Sequence, residues 1–137
     1  REIRAAEVRR AREEVNRLLR QGEDTAVYTS RALVSVEGSE ANLAIGQVVS
    51  NSLVEIVRGL REPPRYLQAK GGITSSDVAT QGLGIRRAMV LGQILPGVPV
   101  WRAGPESRQP GLAYIVFPGN VGGPDALAQI ANRLRGE

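Results

Sequence analysis

The chain has 137 residues, the size of one domain, and its 42% hydrophobic and 23% charged residues are typical of a folded globular protein. It contains no cysteine and no histidine, which excludes disulfide bonds, thiolate or histidine metal sites and mechanisms that use a histidine base. The net charge of +4 does not favour nucleic-acid binding, because the arginines are interleaved with glutamates and aromatic residues make up only 4% of the chain.

No segment has the features of a secretion signal or a membrane anchor. A transmembrane helix needs about 18 consecutive apolar residues without charge, and the sequence has no such run. We therefore expect a cytoplasmic protein without membrane or nucleic-acid partners. The chain begins inside a helical pattern and without methionine, so we also expect it to be part of a longer protein.

Two amphipathic helices are predicted in the first half of the chain. Apolar residues recur at three- and four-residue spacings over residues 1–20, and Gly22 ends this pattern. A second helix is predicted over residues 39–61, where two consecutive prolines stop it. Between the helices, residues 25–30 include β-branched and aromatic side chains, which favours a short strand.

The second half alternates strands, turns and helices. Residues 65–69 predict a buried strand that leads into the paired glycine at 71–72, and Thr74 or Ser75 can cap a helix that runs to about residue 82. This order predicts an α/β layered domain with a mixed, mainly parallel sheet flanked by helices. The remaining elements are three strands separated by Pro-Gly turns and a closing helix, over residues 88–92, 98–101, 113–117 and 124–135.

The segment around the paired glycine has the chemistry of a phosphate site. A helix start presents unpaired N–H groups and a partial positive charge, and glycines let a phosphate approach the main chain closely. Lys70, the only lysine of the chain, directly precedes the glycines and could offset phosphate charge. The spacing matches neither a Walker A loop nor a dinucleotide-binding fingerprint, so a purely structural turn remains the alternative.

A second glycine cluster, over residues 118–123, follows the strand at 113–117 and precedes the last helix. If the two strands are neighbours, both turns leave the carboxyl edge of the sheet, where α/β proteins bind ligands, and could clasp a nucleotide. Asn120 tolerates left-handed backbone angles, so turn geometry explains it as well as ligand contact does.

Two further side chains have two interpretations each. Trp101 could pack on an adenine or a substrate ring, or could simply belong to the core. Asp77 could coordinate magnesium, or could complement the positive end of the predicted helix. No pair of carboxylates is convincingly placed for acid–base chemistry, so we assign no catalytic residue to this chain.

Four motifs follow one another in the second half of the chain: GGITS at 71–75, GLG at 82–84, GQILPGVP at 92–99 and PGNVG at 118–122. In their order and spacing they resemble the C-terminal nucleotide-binding domain of the four-carbon acid sugar kinases. The helices before Lys70 match only in general pattern. The resemblance implies ATP-dependent phosphorylation of a four-carbon sugar acid such as threonate, erythronate or oxo-tetronate, with Mg²⁺ accompanying ATP.

The resemblance also implies which residues contact the nucleotide. At positions that match the family's motifs, these contacts are Gly71, Gly72, Ile73, Thr74 and Gly119. Many relatives have an acidic residue where Ile73 stands, so only a main-chain role is expected at that position.

As a member of a two-domain kinase, the chain would be the nucleotide-binding domain without its N-terminal edge. The sugar-acid domain, which carries the catalytic aspartate in this family, would lie outside residues 1–137, so we expect the fragment alone to be inactive. A homo-oligomer is left open. The alternative is a non-catalytic ligand-binding or regulatory α/β domain that uses its glycine turns only structurally.

Overall fold

The computed structural model describes residues 2–27, 39–118 and 125–134. The chain divides into two compact units, Arg1–Glu62 and Pro63–Glu137. The first unit contains helices α1 (Glu2–Arg20) and α2 (Ser39–Arg58), and the second contains a sheet with two more helices. None of the helices in the described part of the chain is long and apolar enough to cross a membrane.

The first unit is a pair of packed amphipathic helices, with Val8 and Val15 of α1 buried against Ile56 of α2. Asn16 is 1% exposed, and its amide group donates to the Gly59 carbonyl (2.9 Å) while its oxygen accepts from the Arg61 N–H (2.7 Å). These bonds replace helical hydrogen bonds, which explains why α2 ends at Arg58 rather than at residue 61 as predicted.

Residues 25–30 were predicted to form a strand, but the part of this range that the structure describes is not a strand. Residues 25–27 belong to neither a helix nor a strand, and residues 28–30 lie outside the described part of the chain. The two predicted helices of this unit are confirmed.

The second unit contains the predicted strands and helices in the predicted order. Its α3 helix continues as one π-helical turn, so the helical segment reaches residue 82 as expected. The elements are β1 (Tyr66–Lys70), α3 (Gly72–Asp77), the π-helical turn (Val78–Gly82), β2 (Ala88–Leu95), β3 (Val98–Ala103), β4 (Ala113–Phe117) and α4 (Ala126–Leu134).

The described strands form one mixed four-stranded sheet in the order β1-β4-β3-β2. The α/β class and the mixed sheet are confirmed, but the sheet is not mainly parallel: β1 and β4 are parallel, whereas β2–β3 and β3–β4 are antiparallel. The connections after β2 and β3 are too short for the crossover that a parallel pair requires.

Helices cover both faces of this sheet. On one face, the Tyr114 hydroxyl of β4 donates to the Ser75 carbonyl of α3 (2.7 Å). On the other face, Ile115 and Phe117 of β4 pack with Ala126 and Ile130 of α4. Successive residues of a strand point to opposite faces of a sheet, so Tyr114 contacts α3 on one side and Ile115 contacts α4 on the other. The sheet therefore lies between two helical layers.

Candidate functional site

The turn after β1 depends on Gly71. Its φ of 101° lies in a region that side chains make costly, which explains the glycine. Its N–H donates to the Phe117 carbonyl at the end of β4 (2.8 Å), and its own carbonyl accepts from the Ser75 N–H (2.8 Å). Gly71 therefore both ends β1 and begins α3.

The predicted cap at Thr74 or Ser75 is wrong. The helix begins at Gly72, with Gly71 in the capping position and without a side-chain cap. The Ser75 hydroxyl instead donates to the Ala69 carbonyl (2.9 Å), which attaches α3 to β1. Local sequence favours a hydroxyl cap, but the carbonyl of Gly71 is already placed by the β1–β4 pairing to accept the first helical hydrogen bond.

The start of α3 presents main-chain donors to its surroundings. The N–H groups of Gly72, Ile73 and Thr74 have no acceptor within the helix, and they carry its partial positive charge. A Cβ added to Gly72 would meet no atom within 4 Å, and the Ile73 side chain is 71% exposed. An anionic group can therefore reach this main chain without displacing a side chain of the described structure.

Tyr114 holds α3 against the sheet. The residue is fully buried, and burial raises the pKa of its hydroxyl. The hydroxyl therefore stays protonated and continues to donate to Ser75 throughout the neutral range. The position of the α3 start thus follows from bonds to both β1 and β4 rather than from the turn alone.

The second predicted contact, Gly119, lies outside the described residues, as does Asn120. The strand that leads to them is described: β4 is the parallel neighbour of β1, and Phe117 is the register partner of Lys70. The chain therefore leaves β1 at Gly71 and β4 at Pro118 along the same edge of the sheet. This adjacency is the condition that the predicted clasp requires.

Lys70 does not lie where a phosphate role would need it. Its ammonium group is 5.5 Å from the centroid of the Phe117 ring, a cation–π distance. Phe117 packs with α4, on the face of the sheet opposite α3. The structure therefore gives no support to the expectation that Lys70 neutralises phosphate charge at the start of α3.

The residues at this turn do not form a magnesium site. The first turn of α3 has no acidic residue, and Asp77 stands at the last position of the helix, away from its positive end. Among the described residues, no three His, Cys, Asp or Glu side chains cluster in a way that could hold a metal ion. Neither interpretation of Asp77, as a magnesium ligand or as a complement to the helix dipole, is supported.

A pocket of about 170 Å³ adjoins the start of α3. It is bordered by one side of the helical segment, from Gly72 to Thr80, and by Trp101 and Val116 of the sheet. Trp101 is half-buried and also packs against Tyr114, with ring centroids 6.1 Å apart and planes tilted by 40°. Trp101 therefore packs within the sheet layer, as one interpretation expected, and it also borders the pocket; its contact with a ligand ring stays a prediction.

A second pocket, of about 420 Å³, begins at Thr80 and extends past Gly84 to Arg86, Glu106 and Arg108. Glu106 accepts hydrogen bonds from the N–H groups of Arg87 (3.0 Å) and Arg86 (2.8 Å), which lower the pKa of its carboxyl. Sequence reasoning missed this contact because its partners lie about twenty residues apart and share no motif.

Comparison with known proteins supports a nucleotide-binding role. The family model described as a nucleotide-binding C-terminal domain matches residues 1–127, which includes the helices before Lys70. A 3-oxo-tetronate kinase from Cupriavidus necator is 33% identical over 120 residues, which is 84% of this chain. A 3-oxo-tetronate kinase from Pseudomonas fluorescens is 38% identical over 92 residues, which is 66% of this chain.

These relatives are much longer than the chain, which spans 27% of the first and 20% of the second. Among solved structures, a domain of unknown function from Bordetella bronchiseptica, crystallised with bound citrate as a domain-swapped dimer, has the same fold. Its TM-score is 0.58 at 24% identity, over 64% of this chain and 22% of that one. With the glycine turn and the sheet in place, the match over nearly all residues shows that this chain belongs to the family of nucleotide-binding C-terminal domains.

Proposed function

We propose that this chain is the ATP-binding part of a kinase that phosphorylates a four-carbon sugar acid such as threonate, erythronate or oxo-tetronate. The observation that carries the proposal is the open main chain at Gly72, where a helix start faces space that no described side chain fills. Membership of a nucleotide-binding family and similarity to proteins named 3-oxo-tetronate kinase support the choice of ligand and reaction.

In this proposal the phosphates of ATP lie against the N–H groups of Gly72, Ile73 and Thr74, with Gly71 providing the turn. The partial positive charge of the helix start attracts the phosphates without requiring a cationic side chain. Ile73 contributes only its main chain, which is consistent with the exposed position of its side chain. Gly119, in the turn after β4, is proposed as the second contact from the same edge.

The contribution of these residues to catalysis is positioning. Phosphoryl transfer depends largely on holding the nucleotide in line with the acceptor and on offsetting negative charge. The turn has no carboxylate that fits Mg²⁺, so we take the nucleotide to arrive as the magnesium complex, with the ion held by phosphate and water oxygens. No step of the proposal places the ion on a side chain of this chain.

The 137 residues alone are proposed to bind ATP without phosphorylating a sugar acid. They span about a quarter of the related kinases, and no residue in them is assigned as the catalytic base. A non-catalytic ligand-binding or regulatory domain would differ in its response to ATP, because its glycine turn would have only a structural role.

The substitution Gly72→Val tests the proposal. The added side chain meets no protein atom at its Cβ and occupies a helical position with ordinary backbone angles, so the fold should be retained. It should instead occupy the space of a phosphate, and calorimetric titration with Mg·ATP should show at least a tenfold loss of affinity, about 1.4 kcal/mol.

The matched control is Ala128→Val, the same kind of exposed helical substitution on α4, which should leave ATP affinity unchanged. Equal affinity in wild type and Gly72→Val would reject the assignment of the phosphate site. Absence of ATP binding by the wild-type chain would reject nucleotide binding and favour the regulatory alternative.

A further inference from the structure

The pocket between α3 and the sheet is too small for a whole nucleotide. Sites that enclose a drug-sized ligand measure about 300–1,000 Å³, whereas this pocket measures about 170 Å³. Its volume suits one ring system. Because Gly72 belongs both to the pocket wall and to the start of α3, a ligand with phosphates at the helix start has its remaining part beside this pocket.

The chemistry of the pocket walls disfavours a charged group. None of the residues that line it is charged, and two of its hydroxyl groups already donate hydrogen bonds. Ser75 donates to the Ala69 carbonyl, and Thr80 donates to the Ser76 carbonyl (2.8 Å). A phosphate or a sugar-acid carboxylate would lose hydration here without gaining a charged partner, whereas a flat aromatic ring would gain apolar contact.

Trp101 is held in place before any ligand binds. It lies on β3, where its register partners are Val90 of β2 and Tyr114 of β4. The neighbouring Tyr114 ring is itself immobilised by its hydrogen bond to Ser75. An indole that is already ordered costs little conformational entropy when a second ring packs against it.

We infer that this pocket holds the purine base of the nucleotide against Trp101 while the phosphates contact the main chain at Gly72. The inference rests on the proposed function and adds the part of the ligand that the glycine turn does not explain. Stacking of a base on an aromatic ring depends little on which base is present. The pocket walls also carry no charged group that would distinguish one purine from another. ATP and GTP should therefore bind with affinities within about tenfold of each other.

The chain has a single tryptophan, so fluorescence excited selectively at tryptophan, and not at the three tyrosines, reports on this pocket. We expect Mg·ATP to change the Trp101 fluorescence on binding, and inorganic triphosphate, which has no base, to bind without that change. Replacing Trp101 by Ala should weaken ATP binding roughly 5- to 150-fold, the range for one base–aromatic stack, and leave triphosphate affinity unchanged. Trp101→Phe should retain most of the ATP affinity.

A second variant protects the test against misfolding of Trp101→Ala. Ser76 is exposed and lines the pocket, so Ser76→Leu should fill the pocket without disturbing the core. This variant retains Trp101. It should weaken ATP binding and leave triphosphate binding unchanged.

The possible results separate the two proposals. If calorimetry shows ATP binding but the fluorescence is unchanged and both Trp101→Phe and Ser76→Leu bind ATP as wild type does, the base pocket is wrong and the phosphate site stands. If Ser76→Leu lowers the affinities for triphosphate and for ATP equally, the pocket inference is also rejected, because the substitution then acts at the helix start. If neither ATP nor triphosphate binds the wild-type chain, the proposed function fails and the inference fails with it.

Discussion

The two pockets beside the helical segment of residues 72–82 share Thr80 but offer opposite chemistry. The first pocket begins at Gly72, where main-chain N–H groups and apolar walls meet. The second extends past Gly84 to two guanidinium groups, those of Arg86 and Arg108, with the Glu106 carboxylate beside them. An anionic ligand could be attracted to either end, by partial charges of the backbone at the first and by full charges of side chains at the second.

The comparison gives the reason for which we propose the phosphate site at the end without charged side chains. Its donors are fixed by hydrogen bonds of Gly71 and Ser75 to both neighbouring strands, so little freedom is lost when a ligand binds. Exposed arginine side chains must be ordered by the ligand, and the Glu106 carboxylate lines the same pocket, where it would repel an anion. Three measurements can break or sharpen this distinction.

The largest effect is expected on stability at Gly71. Gly71→Ala places a side chain at a φ of 101°, and strain of this kind costs about 1–3 kcal/mol. Gly72→Ala, at the next position, has ordinary helical angles and open space, so it should cost little or nothing. Denaturant unfolding of both variants checks this pair. Equal stability would show that the turn does not hold α3 in the way described.

A smaller effect is expected at Tyr114. Tyr114→Phe removes the hydroxyl that donates to Ser75, a loss of about 1 kcal/mol, since the Ser75 carbonyl also accepts from the Val78 N–H. Burial raises the pKa of Tyr114 above the ordinary value of 10.0, so the folded state retains a proton that the unfolded state loses. The wild type should therefore lose stability as the pH rises above 10.0, whereas below that pH the contribution is fully present.

The control for that pH dependence is the Phe variant itself. Its stability should fall less steeply above pH 10.0, because the substitution removes the group whose pKa burial raises. Parallel alkaline unfolding curves for the two proteins would contradict the assigned burial effect.

The smallest effect is expected at the second, charged pocket. Arg86→Ala and Arg108→Ala should each change Mg·ATP affinity by less than about twofold, which corresponds to roughly 0.4 kcal/mol. Calorimetric titrations of these variants and of Gly72→Val under the same conditions compare the two ends directly. A tenfold loss of Mg·ATP affinity in either arginine variant would indicate that the triphosphate binds in the second pocket. It would contradict the proposed site at Gly72.

Much of the second unit could be predicted from sequence because its signals are local. The strand before Gly71, the glycine turn and the helix that reaches Gly82 follow from apolar runs and breaker residues only a few positions apart. The same locality explains the failures: a hydroxyl near a helix start suggests a cap, but Gly71 takes that role because Phe117, a residue of another strand, binds its N–H.

By itself, the sequence determined the order and approximate positions of the helices and strands of the second unit, the two helices of the first unit, the α/β class and the glycines that make a phosphate approach sterically feasible. Periodicity and backbone preference act over a few residues, so they can be read without knowledge of the fold. Only the tertiary structure decided the strand order and directions, the position of Lys70 over Phe117, and the placement of Trp101 beside α3. These depend on which strands pair and in which register, and pairing joins residues that no local pattern connects.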